Sequence, residues 1–320
     1  MKRILAYRFS AFGDVAMTVP VFIEFLEQNP NVEVIMVSRT QFSALFEGIP
    51  NLTFKGINLD DYKGIFGLRK LGEILIQEFK PDYIADLHDV IRTKALNLFF
   101  VKKGFKIYKI NKGKDEKDEL TDIWNLEKHQ LKSTSERYAD VFRAMNFKLE
   151  LSHTYRPRGE KSGIGVAPFA QHKGKMLPLE KTFEVVRILA KKNEIYFFGG
   201  GPEETTILNS WQEQIPNTTN LAASHTLKEE LQKIASLEVM ISMDSANMHL
   251  ASLMGTRCIS VWGSTHHYAG FLGYGQSTKD VVQVKDLTCR PCSVFGDKKC
   301  YRGDWACLEE LNIQKIIDLV

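Results

Sequence analysis

Along this chain, short apolar runs alternate with longer segments whose apolar residues recur at helical spacing. In the first half the strand-length runs fall at residues 4–7, 32–37, 52–57, 83–87 and 105–110. Helical patterns lie between them at 15–28, 41–46, 67–79, 93–101 and 135–145. Pro20 sits where it either starts the first helix or kinks it. A second series follows, with strands at 164–168, 194–198, 239–243 and 256–262 and helices at 180–191, after the Thr226-x-x-Glu229 capping box, and at 308–320. Strands alternating with helices predict parallel sheets covered on both faces. Residues 157–163, polar with Pro157 and Gly163 at the ends, read as the linker between the two series. Residues 111–120 are so highly charged that they read as a mobile loop.

The densest pattern is Val239 to Gly255. An apolar strand stops at Asp244-Ser245, a helical pattern begins, and Gly255 ends it. In a strand–loop–helix–strand unit the loop lies at the carboxyl edge of the sheet, and the helix N–H groups point at whatever binds there. Asp244 and Ser245 suit either helix capping or a ligand. The first strand ends similarly, in Arg8-Phe9-Ser10-Ala11-Phe12-Gly13-Asp14. Gly13 allows close approach and Asp14 stands where a helix begins; the dinucleotide fingerprint Gly-x-Gly-x-x-Gly is absent.

Two loops of the second series add candidate chemistry. His172, Lys173 and Lys175 surround Gly174, a composition suited to phosphate. Gly199-Gly200-Gly201-Pro202 leads to Glu203 and Glu204. A carboxylate there can accept hydrogen bonds from both hydroxyls of a ribose diol, and spacing alone does not choose between the two.

Composition narrows the class. With 320 residues, two domains of about 150 are expected. Apolar residues make 44% and charged residues 25%, as in ordinary globular proteins, and a net charge of +3 is too small to argue for nucleic acid. No apolar run is long enough for a bilayer, and the N-terminus lacks a signal-peptide pattern, so a cytoplasmic chain with reduced cysteines is expected. Eight Lys or Arg and no acid occupy residues 92–114. Such a run is either a solvated face or a landing surface for an anionic acceptor or membrane headgroup.

Three motifs together carry a family resemblance: Arg8-x-Ser10-Ala11-x-Gly13-Asp14-Val15, Lys175-x-Leu177-Pro178, and Asp244-Ser245-Ala246-x-Met248-His249-Leu250-Ala251. They resemble, in order, the signatures of glycosyltransferase family 9, the lipopolysaccharide heptosyltransferases. Ala246 departs from the commoner Gly. The resemblance implies a GT-B architecture: two Rossmann-like domains with parallel sheets facing across a cleft. Residues 1–157 would bind the acceptor and 158–307 the nucleotide sugar, while 308–320 would form a helix packed back on the N-terminal domain. It implies an inverting, metal-independent transfer with no required cofactor, in lipopolysaccharide biosynthesis. ADP-heptose is the favoured donor, an anionic glycolipid or core oligosaccharide the acceptor, and the inner face of the membrane a peripheral location.

By the same resemblance Asp14 is the general base. Lys175, Ser245 and Ala246 would stabilise the leaving diphosphate, Asp244 and His249 hold the donor, and Glu203 or Glu204 (Glu204 preferred) meet the ribose. Ser10, Gly13, Arg92 and Lys94 would lie near the acceptor. Two other classes stay open: a non-catalytic nucleotide-sugar-binding protein, against which Asp14 argues, and a sugar-nucleotide epimerase, which needs no acceptor surface. The tail spaces Cys289-x2-Cys292-x7-Cys300-x6-Cys307. A structural zinc, reduced thiols and a disulfide are all compatible with that spacing.

Overall fold

The computed structural model describes residues 1–157, 159–222 and 224–320. The chain forms two units, residues 1–112 with 134–152, and residues 113–133 with 153–320. Elements up to residue 152 run β1 (Lys2–Tyr7), α1 (Phe12–Ala16), α2 (Thr18–Gln28), β2 (Val32–Arg39), β3 (Leu52–Ile57), α3 (Gly64–Phe79), β4 (Tyr83–Asp86), α4 (Ile91–Lys102), β5 (Ile107–Lys109), α5 (Lys114–Leu120) and α6 (Thr134–Arg143). Of these, α5 belongs to the second unit. There follow β6 (Ile164–Ala167), α7 (Leu179–Leu189), β7 (Ile195–Phe197), α8 (Pro202–Gln214), β8 (Thr218–Asn220), α9 (Leu227–Ser236), β9 (Val239–Met243), α10 (Ala246–Leu253), β10 (Arg257–Val261), β11 (Val281–Val282), α11 (Ala306–Glu309) and α12 (Gln314–Ile317).

Among the described residues, the first unit holds a parallel sheet in the order β3-β2-β1-β4-β5, and the second one in the order β11-β10-β9-β6-β7-β8. Both orders reverse beside the first strand of the unit. In the first unit β1 lies between β2 and β4, so that Tyr7 pairs with Val37 on one side and Asp86 on the other. In the second, β6 lies between β7 and β9, with Ala167 opposite Ser242. The crevice at such a reversal is where open α/β sheets bind ligands.

Near-continuous apolar strands explain the parallel arrangement, because both faces of each sheet are covered. All five residues of β9 are buried, and so are Ile4 to Tyr7 of β1. Phe22 and Phe25 of α2 pack their rings 5.9 and 4.6 Å from Phe142 of α6. Each such ring contributes about 1.5–3 kcal/mol by leaving water.

The structure departs from the sequence pattern at several places. The helix expected over 15–28 is two helices meeting at Met17. Pro20 lacks the N–H that would bond to the Ala16 carbonyl, and Thr18 Oγ1 turns back on Val15 O at 2.7 Å. The expected helix at 41–46 is a 3-10 turn over Thr40–Phe46.

The charged stretch expected as a loop contains α5. Leu120 is buried with Leu131 and Ala269, and Lys117 Nζ lies 4.3 Å from the Phe271 ring centroid. These contacts place residues 113–133 in the second unit, whereas the pattern suggested one N-terminal domain through residue 157. Arg158, where the second domain was expected to begin, lies outside the described residues. The last residues form two short turns instead of one helix. Leu311 and Ile316 join the core of the second unit, with α12 against α7.

Candidate functional site

At the reversal of the first sheet, β1 and β4 deliver their ends side by side. Arg8 follows β1, and its side chain is 7% exposed. Its Nη1 donates to Leu87 O at 2.6 Å, Nη2 lies 2.8 Å from Asp14 Oδ2, and the guanidinium lies 5.6 Å from the Tyr138 ring centroid. Asp14 is the third residue of α1, and its Oδ2 accepts from Ala11 N at 3.4 Å. It therefore closes the first helical turn from inside, and Ala11 holds the cap position. Gly13 lies in the same turn, with its carbonyl accepting from Met17 N.

His88 comes from the end of β4. Its Nδ1 accepts from Phe9 N at 3.4 Å, which leaves the proton on Nε2, 3.3 Å from Ser10 Oγ. Burial and the nearby charges of Arg8 and Lys112 push its pKa down to about 3, so the ring is neutral at ordinary pH. Asp86 fixes the loop: its Oδ1 accepts from His88 N and Asp89 N at 2.9 and 2.8 Å, and Oδ2 accepts from Asn97 Nδ2 at 2.7 Å. Ser10 and Asp14 are thus brought together around Arg8 and His88. Arg92 and Lys94 stand on the exposed side of α4, where Lys94 Nζ lies 4.0 Å from Asp89.

At the reversal of the second sheet, the loop after β6 meets the loop after β9. Lys175 Nζ lies 3.0 Å from Asp244 Oδ2, with side-chain exposures of 16% and 4%. Thr265 Oγ1, beyond β10, donates to the same oxygen at 2.8 Å. The Lys175 loop is held by Gly174, whose carbonyl accepts from Ser264 N at 2.8 Å and Ser264 Oγ at 2.9 Å. A Cβ on Gly174 would overlap Ser264 Oγ and Gly296 O, so only glycine allows this approach.

Ser245 occupies the cap position of α10, yet its side chain makes no cap bond; its Oγ lies 3.2 Å from Ser242 Oγ. The first N–H groups of α10, beginning at Ala246, therefore receive no side-chain cap. His249 lies one turn on, 8% exposed. At the end of β7, Glu204 folds back and its Oε2 accepts from Gly200 N at 2.7 Å, while Glu203 is exposed. Gly255 ends α10 at φ +67°, as its sequence position suggests.

His88, Tyr138 and Thr265 were not singled out from sequence, and Arg8 only as part of a motif. Arg8 opens the first motif, which could have pointed to it, and Thr265 closes the Trp262-Gly263-Ser264-Thr265 run after β10. His88 and Tyr138 reach the site only through the fold.

The four tail cysteines line one small cavity with Ser264 and Arg290, and all are free thiols. Burial raises Cys307 to about 12. Thiol donors suit zinc chemically. Among the described residues, however, no group of three or more His, Cys, Asp or Glu is arranged to hold a metal ion. No catalytic step is assigned to the four cysteines.

Two parallel α/β sheets, each with polar side chains gathered at its reversal, place the molecule in the GT-B fold class of glycosyltransferases. The chain belongs to glycosyltransferase family 9 (heptosyltransferase), which residues 101–301 match. It is 27% identical over 316 residues to a lipooligosaccharide heptosyltransferase 2 of Campylobacter jejuni, covering 96% of this chain and 94% of that one. Among solved structures, a family 9 glycosyl transferase from Veillonella parvula is similar with a TM-score of 0.72 at 16% identity, covering 99% of this chain and 95% of that one. An E. coli heptosyltransferase with ADP-2-deoxy-2-fluoro heptose has a TM-score of 0.70 at 16% identity, covering 99% of each chain.

Proposed function

We propose that this glycosyltransferase moves heptose from ADP-heptose onto a lipopolysaccharide core or related anionic glycolipid, by single displacement with inversion. The observation that carries the proposal is the Lys175–Asp244 pair beside the uncapped start of α10. A diphosphate leaving group needs positive charge and N–H donors already aimed at it, and this corner of the second sheet supplies both. The names of the relatives supply the sugar and the nucleotide: one is a lipooligosaccharide heptosyltransferase, and another was solved with a fluorinated ADP-heptose.

Roles follow from position. Lys175, Ser245 and the N–H groups from Ala246 would receive the departing diphosphate, and Asp244 would orient Lys175 and a donor hydroxyl. His249 would border the donor. Glu204, held by Gly200, would present its carboxyl group toward the ribose, with Glu203 at the rim. Asp14 would take the proton of the acceptor hydroxyl as its oxygen attacks the anomeric carbon, and the C–O bond to ADP breaks on the opposite face. Arg8 keeps that carboxylate oriented, and Ser10 and His88 offer hydrogen bonds beside it. No step in this scheme calls for a metal ion or cofactor.

The acceptor's lipid would bring the enzyme to a membrane surface. No helix among the described residues is long and apolar enough to cross a membrane. Instead, α4 shows solvent a face with Ile91, Leu98 and Val101 at 89%, 56% and 54% exposure. Arg92, Lys94, Lys102 and Lys103 are exposed around them. Apolar side chains ringed by cations suit the surface of an anionic leaflet.

A thermal-shift series with ADP, UDP, GDP, CMP and their sugars tests the donor assignment. ADP and ADP-heptose should stabilise the protein, by about 2.7 kcal/mol at a hundredfold excess over Kd. Lys175→Ala should weaken that effect about tenfold or more in apparent affinity. Equal stabilisation of the Lys175→Ala protein, or a preference for another base, would remove Lys175 or ADP from the scheme.

A further inference from the structure

At the β11 edge of the second sheet, three strands away from β6, lies a cavity of about 550 Å³ that the reaction above does not use. This is within the range of about 300–1,000 Å³ typical of small-molecule sites. Lys128, Lys279 and Lys285 reach it from three separate stretches of chain, and no carboxylate lines it among the described residues. Of the two acids adjacent in sequence to Lys279 and Lys285, Asp280 is 7% exposed and committed to Arg257, whose Nη2 donates to it at 2.6 Å, and Asp286 is exposed but does not line the cavity. Lys279 and Lys285 are exposed. Lys128 Nζ donates to Leu120 O at 2.7 Å and Asp122 O at 2.6 Å, which leaves one proton of the ammonium to spare.

Two buried groups make this more than a solvated basic surface. Arg290 lies in the wall, 6% exposed, and its N–H groups go to Val284 O at 2.7 Å, Thr265 O at 2.7 Å and Gln283 Oε1 at 3.0 Å. No carboxylate pairs with it among the described residues. A buried charge solvated by carbonyls alone raises the potential of the adjoining space. His267, 7% exposed, also lines the cavity, and its buried Nδ1 has no hydrogen-bond partner. A buried polar atom left without a partner costs about 1–3 kcal/mol. Its neighbour His266 is already committed, with Nδ1 accepting from Tyr268 N at 3.1 Å.

We infer that this cavity binds a phosphomonoester, with Lys128, Lys279 and Lys285 around the phosphate and Arg290 and His267 in the wall behind them. A dianion suits three ammonium groups at a cavity that no carboxylate lines among the described residues, and lysine binds phosphate as a point charge. The same chemistry occurs on a phosphorylated glycan of an acceptor and on a free polyol phosphate. The site is independent of the donor assignment, since it shares no residue with the Lys175 corner.

Calorimetric titration of the full chain with glycerol phosphate and with glycerol tests the inference. Both are repeated in Lys175→Ala and in the double variant Lys279→Ala/Lys285→Ala, whose side chains are exposed and lie outside the proposed transfer machinery. Glycerol phosphate should bind and glycerol should not. The double variant should weaken binding about tenfold or more, leaving its ADP binding intact, and Lys175→Ala should leave glycerol phosphate binding unchanged. Equal affinity in the double variant, absence of binding, or full competition by ADP would overturn it. Titration with phosphorylated and dephosphorylated core oligosaccharide then assigns the source. A preference for the phosphorylated form over glycerol phosphate indicates an acceptor subsite, and the reverse indicates a free metabolite.

Discussion

Arg8 carries a charge into a site almost closed to water, and its partners decide how the neighbouring groups behave. Asp14, Leu87 O and the face of Tyr138 compensate it. Replacing Asp14 by Asn therefore does more than remove a base. It leaves the guanidinium with a neutral amide, and a loss of about 1–3 kcal/mol of stability is expected alongside the chemical effect. His88 feels the same field. Its folded pKa of about 3 lies below the usual 6.5, so the unfolded chain binds the proton first as pH falls. Its contribution to stability is complete above about pH 6.5 and is lost from there down toward pH 3. His266 and His267, lowered to about 3 and 4 chiefly by burial, act in the same direction. Melting temperature should therefore drop between pH 7 and 5, with each histidine contributing at most about 1.4 kcal/mol per pH unit. His88→Gln should remove one proton's share of that slope. A slope identical to wild type would show that His88 is not held neutral. Sequence placed Asp14 at the site because its motif is local, but the histidine and tyrosine beside it arrive from distant strands and helices.

At the scale of elements, loops at the ends of β1, β4, β6 and β9 gather the candidate residues, and the helices that follow aim them. The start of α10 was legible because a strand, two short polar residues and a helical pattern follow one another within a dozen positions. Elements held by remote partners were not legible. The charged stretch containing α5 looks disordered until Phe271 and Ala269 cover it. The 308–320 pattern looks like one amphipathic helix, yet its apolar residues are spent on α7 and the second core. For α4, the basic run was visible in the sequence. The outward aim of Ile91, Leu98 and Val101 was not, because apolar residues lie on both sides of that helix. If α4 meets an anionic leaflet, wild-type protein should sediment with phosphatidylglycerol vesicles and much less with phosphatidylcholine vesicles. Ile91→Asp/Leu98→Asp should release it while leaving ADP binding unchanged, since both side chains already face solvent. Undiminished sedimentation of that variant would place the membrane contact elsewhere.

For the whole molecule, strand–helix alternation was enough to foresee two parallel sheets, since apolar runs this short and continuous have few other uses. The division of the chain was harder, because residues 113–133 leave the first unit in space but not in sequence. Chemistry is likewise divided: a carboxylate held by a buried arginine in one unit, and a lysine–aspartate pair beside a helix start in the other. The proposed transfer needs both. Its most direct test is turnover of ADP-heptose by the purified chain, with and without a heptose-deficient lipopolysaccharide acceptor, followed by release of ADP and the anomeric configuration of the product. Acceptor-dependent ADP release with inversion is expected, slowed about 10²–10⁴-fold in a folded Asp14→Asn protein that still binds ADP. Acceptor-independent consumption of the donor, or full transfer by Asp14→Asn, would contradict the assignment.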